Sequence, residues 1–267
     1  MGLNLKGCVM ELVGTFALCF VGGLVVQAKA DGSIEAVALA HGFVLAFMIY
    51  AGANVSGAHY NPAVSLALAC IGKCKWLDAL CYMGFQLVGS ILAGVLVAVI
   101  YDTKKLEEIG HKKLSYCGCP HGIGFASTKE GESPPIMMTL QGGGIEAVAT
   151  FFLMWVIMGT AVDHRKAKAV YGIAIGFTLS MCIYANGVAT GGALNPWRSF
   201  GPIIGSGLLH SSEFEFLGRS WIYAFPFLGA LAAAFLYQLV IQVKEETPKS
   251  AQAMIELKAN NDNDMKL

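Results

Sequence analysis

The fold is decided by residues 56–68, SGAHYNPAVSLAL, and by an altered copy at residues 191–202, GGALNPWRSFGP. In each stretch an Asn-Pro pair follows a glycine-bearing turn and precedes a short apolar segment. Asn is a strong helix N-cap and Pro is favoured at the first helical position, so each pair is predicted to begin a helix. We expect short helices over about residues 64–71 and 198–208. The positive N-terminal ends of their dipoles should face each other across a shared space.

The composition indicates that this shared space lies in a membrane. Hydrophobic residues make up 55% of the 267 residues and charged residues only 13%, whereas soluble domains carry about a quarter charged residues. The net charge is zero, so no nucleic-acid partner is predicted. The eight cysteines are scattered rather than arranged as a disulfide framework, and the spacing of Cys117 and Cys119 is poor for zinc. We predict neither a metal site nor a cofactor.

Six apolar stretches approach the ~20 residues that a transmembrane helix requires. They cover residues 8–28, 34–54, 76–101, 143–162, 169–188 and 220–243. The predicted fold class is therefore an all-α membrane protein with six transmembrane helices, and the two Asn-Pro helices are too short to cross. We assign one membrane domain to residues 1–243, with repeats at about 6–101 and 141–243 joined by loop 102–140, and a disordered tail to residues 244–267.

The two halves of the chain repeat each other. Glu11 begins the motif Glu-Leu-Val-Gly-Thr-Phe, and Glu146 begins Glu-Ala-Val-Ala-Thr-Phe. The separation is 50 residues from Glu11 to Asn61 and 49 from Glu146 to Asn195. Because each half contains three spans, an odd number, the second half must be inverted relative to the first. Inverted repeats with broken helices place a transport site near the bilayer midplane, so a pore or a carrier is predicted rather than an enzyme.

Basic residues in the short links suggest which face of the membrane is cytoplasmic. Lys73 and Lys75 follow the first short helix, and the link 163–168 carries three further basic residues. Cytoplasmic links are enriched in Lys and Arg. We therefore predict an integral multi-pass protein of the plasma membrane or an organelle membrane, with both termini cytoplasmic and loop 102–140 extracytoplasmic.

Asn61 and Asn195 carry the predicted selectivity against ions. Each carboxamide can donate two hydrogen bonds into the lumen. Together with the two helix N-termini they make the midplane electropositive, which orients water by its oxygen and interrupts a proton-conducting chain of waters. A secondary transporter also fits an inverted repeat, but the spans contain few ionisable residues that could couple one. We predict a passive channel for water and small neutral solutes.

The two Asn-Pro stretches resemble the pore loops of aquaporins, the major intrinsic protein family. The similarity covers about residues 8–243, and the motif residues are Asn61, Pro62, Ala63, Asn195 and Pro196. The resemblance implies a right-handed bundle of six tilted helices and two re-entrant half-helices, assembled in the lipid as a homotetramer with one pore per subunit. It also implies that Glu11 and Glu146 brace the backbones of the pore loops.

The outer filter of that family has four positions. The resemblance implies the corresponding residues of this chain, which are located by counting from Asn61 and Asn195. They are His41, 20 residues before Asn61; Ile183 and Gly192, 12 and three residues before Asn195; and Arg198, three residues after it. Strictly water-selective members, as the resemblance implies, have an aromatic residue in place of His41 and a His in place of Ile183. This quartet is similar to that of the ammonia-permeable group that includes the plant tonoplast intrinsic proteins. Ser199 stands where glycerol-conducting members carry Asp, which disfavours glycerol.

Trp197 departs from the family pattern, which has Ala after the second Asn-Pro pair. One interpretation is a non-conducting structural membrane protein whose pore the indole closes. Helical side chains are about 100° apart, so Trp197 lies roughly 200° from Asn195 while Arg198 returns to within about 60° of it. If Asn195 and Arg198 face the lumen, Trp197 packs beside the motif. We predict that Trp197 is buried off the pore axis and that the channel conducts.

Overall fold

The computed structural model describes residues 2–28, 33–101, 136–163, 169–211, 214 and 224–241. The predictions for most of loop 102–140 and for the tail 244–267 concern residues outside this part. The described chain folds into helices, which we number in order as α1 (Leu5–Ala28), α2 (Ile34–Ser56), α3 (Pro62–Cys70), α4 (Trp76–Ile100), α5 (Ile136–Ile157), α6 (Tyr171–Thr190), α7 (Pro196–Gly207) and α8 (Phe225–Leu236). Single π-helical turns extend α5 over Met158–Val162 and α8 over Tyr237–Ile241.

Five helical segments of the described chain are long and apolar enough to cross a membrane: α1, α2, α4, Leu140–Val162 and α6. The segment Phe225–Ile241 is apolar but shorter, and it lies within the sixth predicted span. The half-helices α3 and α7 have 9 and 12 residues, too few for the ~20 that a crossing requires. The predicted all-α membrane fold is confirmed.

The helices pack as an inverted repeat. In the first half α1 packs against α4, and in the second half α5 packs against α8. Between the halves α2 meets α6, while α3 packs on α8 and α7 packs on α4. Gly89 of α4 lies against the carbonyl of Leu12, and Gly229 of α8 lies against the carbonyl of Ala147, so that a methyl group at either glycine would collide. Small residues permit this close packing between helices in lipid.

Each half-helix is reached through a glycine turn. Gly57 (φ 91°) follows the last residue of α2 and Gly191 (φ 87°) follows the last residue of α6, and each glycine N–H bonds to the carbonyl four residues earlier. Positive φ is unfavourable for residues with a side chain, so glycine suits both positions. The two turns direct the chain toward Asn61 and Asn195.

Hydrogen bonds place both described ends of the chain on one face of the bundle. The N–H of Asn4 donates to Asp78 Oδ1 at 2.9 Å, at the start of α4 and next to the link 71–75. At the other end the Tyr237 hydroxyl donates to Asp163 Oδ2 at 3.1 Å, just after the π-helical turn of α5. Lys73 of the link 71–75 lines the same cavity as Ala161 and Val162 at the end of α5. The basic link and the end of α5 therefore lie at the same face.

Candidate functional site

Two asparagines cap the half-helices. Asn61 has an extended backbone (φ −152°), and its Oδ1 accepts a hydrogen bond from the N–H of Ala63 at 2.9 Å. Asn195 (φ −144°) accepts from the N–H groups of Trp197 at 3.1 Å and Arg198 at 3.3 Å. In both cases a proline occupies the first helical position, where its missing N–H costs no helical hydrogen bond. The geometry at both motifs is that of the predicted N-caps.

Each asparagine also bonds to the opposite pore loop. Asn61 Nδ2 donates to the carbonyl of Leu194 at 2.9 Å, and Asn195 Nδ2 donates to the carbonyl of Tyr60 at 2.8 Å. Tyr60 and Leu194 have left-handed backbones (φ 49° and 50°), which cost energy in residues other than glycine. One N–H of each carboxamide is used between the loops, so one remains for the lumen rather than the predicted two.

A buried carboxylate holds the backbone of the second pore loop. Glu146 Oε2 accepts from the N–H of Leu194 at 2.8 Å, and Oε1 accepts from the N–H of Ala193 at 3.0 Å. The hydroxyl of Thr190 also donates to Oε1 at 2.6 Å. The strained Leu194 is therefore bonded on both sides, by Glu146 through its N–H and by Asn61 through its carbonyl.

Glu11 does the same in the first half and belongs to a longer polar network. Its carboxylate accepts from the N–H groups of His59 at 2.8 Å and Tyr60 at 2.6 Å. It also accepts from Gln86 Nε2 at 2.8 Å, which in turn donates to Ser65 Oγ at 3.0 Å. Gln86 and Ser65 were not predicted from the sequence. The signal for Gln86 was present, since an amide inside an apolar span needs a buried partner.

A cavity of about 290 Å³ lies between the half-helices and the link 71–75. Asn61, Asn195 and Arg198 line one part of it, and Lys73 lines another. The aliphatic part of the wall comprises Leu18, Leu45, Ile49, Val64, Leu68, Leu153, Ile157, Ile175 and Leu179. An apolar wall with a few polar groups retains small solutes only weakly, and cationic side chains disfavour the entry of cations.

Arg198 is held beside His41. Arg198 Nε donates to His41 Nε2 at 3.1 Å, and Nη1 donates to the carbonyls of Gly191 at 3.2 Å and Gly192 at 3.4 Å. The other ring nitrogen of His41, Nδ1, lies 2.7 Å from the carbonyl of Val37. Because a guanidinium only donates and a carbonyl only accepts, this His41 is neutral with its proton on Nδ1. Both ring nitrogens are engaged, so the imidazole positions the guanidinium rather than offering a free nitrogen to a solute.

Ile183 and Gly192 complete the predicted quartet. Ile183 is fully buried in α6. A Cβ on Gly192 would lie 3.0 Å from Ile183 Cα and 3.2 Å from its Cγ1. The four residues therefore form one contiguous group, in which His41 bonds to Arg198, Arg198 bonds to Gly192, and Gly192 packs against Ile183.

Trp197 lies on the side of α7 that packs on α4. Its Nε1 donates to the carbonyl of Met83 at 2.8 Å, and its ring meets Phe200 edge to face with centroids 6.1 Å apart. The sequence predicted a buried indole, and in the structure the indole is half-buried. Met83 and Phe200 are themselves half-buried, so this contact lies at the edge of the bundle. The cavity, in contrast, is bordered by Asn195 and Arg198 from the same helix end.

Paired half-helices that meet within an inverted bundle of apolar helices define a class of protein, the membrane channels with re-entrant pore loops. Comparison with known proteins identifies the particular family. The sequence pattern described as major intrinsic protein matches residues 2–237, and the chain belongs to this family. The protein is therefore an integral membrane channel for water and small solutes and not an enzyme.

The relatives refine the comparison. Nodulin-26 of Glycine max is 34% identical over 92% of this chain and 83% of its own length. The probable NIP-type aquaporin of Nicotiana alata is 30% identical over 94% of this chain and 84% of its own length. A solved aquaglyceroporin from Plasmodium falciparum has a TM-score of 0.72 at 23% identity, covering 89% of this chain and 97% of that one. The family prediction is confirmed. The predicted similarity to the tonoplast intrinsic proteins is corrected, because several of the relatives are NIP-type aquaporins.

Proposed function

We propose that the chain is a passive channel for water and ammonia, and that His41, Ile183, Gly192 and Arg198 form its outer selectivity filter. The observation that carries the proposal is the hydrogen bond from Arg198 to His41, in a group whose other members are an aliphatic residue and a glycine. A guanidinium held to one side repels cations while leaving room for a small neutral solute. Ammonia is close to water in size and hydrogen-bonding capacity, so a filter that passes water in this way should also pass ammonia.

We assign the exclusion of protons to Asn61 and Asn195. Each has one N–H that is not used between the pore loops, and each stands at the positive end of a half-helix dipole. A water molecule at this point must accept hydrogen bonds through its oxygen. Its own protons then point away toward both ends of the lumen, which interrupts proton transfer along the file of waters.

Ammonia uptake into proteoliposomes that contain only this chain tests the proposal. We expect the internal pH to rise several-fold faster than in empty liposomes when an ammonia gradient is applied, without an accompanying current. Uptake at the rate of empty liposomes, measured on vesicles with raised water permeability, would contradict ammonia conduction and leave a water channel.

A double substitution tests the role of His41. His41→Phe with Ile183→His should lower ammonia permeability about fivefold, the effect of losing roughly one hydrogen bond, while water permeability stays within about twofold. The Phe removes the acceptor of the Arg198 Nε, and the His adds a polar ring that narrows the filter. Stopped-flow measurement of both permeabilities on one preparation gives their ratio. An unchanged ratio of ammonia to water permeability would show that His41 does not contribute to selectivity. Ile183→Val serves as the control because it keeps an aliphatic side chain at this position.

A single substitution distinguishes packing by Trp197 from closure of the pore. Trp197→Ala should lower the apparent melting temperature in detergent, with a loss of about 2–3 kcal/mol, less than for a fully buried Trp because the indole is half-buried. Water permeability per folded channel should remain at the parent value, since the indole bonds to α4. Trp76→Ala is the control, because Trp76 is 53% exposed. A many-fold rise in water flux would instead support the non-conducting reading of the native protein.

We also propose a homotetramer with both termini in the cytoplasm, in the plasma membrane or an organelle membrane. The shared face of the two described ends carries Lys73, which favours a cytoplasmic position.

Large apolar side chains remain exposed on the described parts of α2 and α6, including Phe47 and Met181, and they suit lipid or neighbouring subunits. Native mass spectrometry should give a four-chain assembly of the 28.3 kDa chain. A monomer would contradict the tetramer.

A further inference from the structure

Asn186 has a buried side chain without a hydrogen-bond partner in the described part of the chain. It lies on α6 one turn after Ile183, it is 6% exposed, and neither Oδ1 nor Nδ2 bonds to a residue that the structure describes. Within the described ranges, Thr15, Gln86 and Ser199 each have one buried side-chain atom without a partner, whereas Asn186 has two, one at each end of its carboxamide. An unpaired buried amide is destabilising. Its presence therefore suggests a partner that the described residues do not supply, such as water or a permeating solute.

The carboxamide of Asn186 occupies the space where Gly192 lacks a side chain. A Cβ on Gly192 would lie 2.8 Å from Asn186 Oδ1, nearer than any other neighbouring atom. Gly192 has a φ of 59°, a backbone conformation that favours glycine. The amide thus occupies the space that a side chain at position 192 would take.

The four residues of the proposed filter offer a solute donors but no side-chain acceptor. Both ring nitrogens of His41 are engaged, Ile183 is aliphatic, and the guanidinium of Arg198 only donates. The carbonyls of Gly191 and Gly192 each accept one hydrogen bond from Arg198, which leaves each of them one lone pair. A solute that donates N–H or O–H groups can use these lone pairs, and the carboxamide of Asn186 supplies the side-chain acceptor that the quartet lacks, together with a donor.

We propose that Asn186 is a fifth specificity-determining residue of the filter, and that its carboxamide exchanges hydrogen bonds with water, ammonia or a small amide in place of a side chain at Gly192. The inference rests on the proposed filter. It also makes the opening narrower than the quartet alone implies, because the amide occupies volume that a glycine leaves free.

Two substitutions at Asn186 separate its bonding role from its volume. Asn186→Leu keeps the volume and removes both bonding groups, so ammonia permeability should fall about fivefold, with a smaller fall for water. Asn186→Ala removes the volume and should raise urea permeability several-fold. The matched control is Thr178→Val on the same helix, because the Thr178 hydroxyl bonds within the helix to the carbonyl of Ala174 at 2.8 Å. All permeabilities of this control should equal those of the parent.

The outcomes distinguish a filter residue from an inert buried amide. An inert amide predicts that Asn186→Leu raises the apparent melting temperature and leaves water, ammonia and urea permeabilities unchanged in both variants. That result, or an equal fall in Thr178→Val, would overturn the proposal. If the parent conducts water but not ammonia, the proposed ammonia function fails by itself. The role of Asn186 is then supported by altered water or urea permeability in its two variants, and overturned by unaltered values.

Discussion

Arg198→Val is expected to raise the permeability of the channel to monovalent cations by at least about tenfold and to admit urea and glycerol. A unit charge about 4 Å from a cation contributes about 4 kcal/mol at an effective dielectric constant of 20, and a barrier change of only ~1.4 kcal/mol is already tenfold. Part of the barrier remains because the midplane keeps its two helix dipoles and asparagines. Conductance and solute-driven swelling of proteoliposomes measure the two effects.

Arg198→Lys is the matched control for this prediction. Lys keeps the positive charge but lacks the planar fork that lets Arg198 bond to His41 and Gly191 together. The Arg198→Lys channel should therefore still exclude cations, but the ratio of its permeabilities to different neutral solutes should change. A Val variant that excludes urea, glycerol and cations as the parent does would show that Arg198 is not the cation of the filter.

Glu146→Gln is expected to lower the free energy of unfolding by about 3–6 kcal/mol and to abolish conduction. This range corresponds to the loss of two charge-assisted hydrogen bonds to a buried carboxylate, which contribute roughly 1.5–3 kcal/mol each. Glu146 accepts from the N–H groups of Ala193 and Leu194, and from the Thr190 hydroxyl. A Gln has a single acceptor oxygen, and its NH₂ would face donors that it cannot bond. Without this bracing the strained backbone of Leu194 should relax.

The loss should appear both as a lower melting temperature in detergent and as lost water permeability at equal protein content. Glu11→Gln should behave in the same way, since Glu11 holds the other pore loop. Glu35→Gln provides the control, because Glu35 is exposed at the start of α2. A Glu146→Gln protein with the melting temperature and flux of the parent would contradict the bracing role.

The local features of the pore could be predicted from the sequence because they depend on neighbouring residues. Asn followed by Pro determines an N-cap and a first helical residue, and the glycines before them supply the left-handed turns. The repeat of Glu11 and Glu146 at nearly equal distances from Asn61 and Asn195 indicated the inverted architecture. These features sufficed for the fold class and for the family.

Contacts between distant residues could not be predicted in the same way. Asn61 bonds to a carbonyl 133 residues away and Arg198 to a ring 157 residues away, so both bonds depend on how the two halves dock. The bond that His41 Nε2 accepts from Arg198 and the contact of Trp197 with Met83 both depend on that docking. The sequence also did not indicate that the amide of Asn186 lacks a partner among the described residues. The spacing from the two motifs identified four residues that lie together in the structure, but it did not indicate which of their atoms bond to one another.

The temperature dependence of osmotic water permeability tests passive conduction most directly. Proteoliposomes that contain only this chain should shrink many-fold faster than empty liposomes under an osmotic gradient. The activation energy should be low, close to that of water diffusing in bulk, because water crosses an open pore without a conformational cycle. Permeability equal to that of empty liposomes, or a high activation energy like that of a carrier, would contradict a channel.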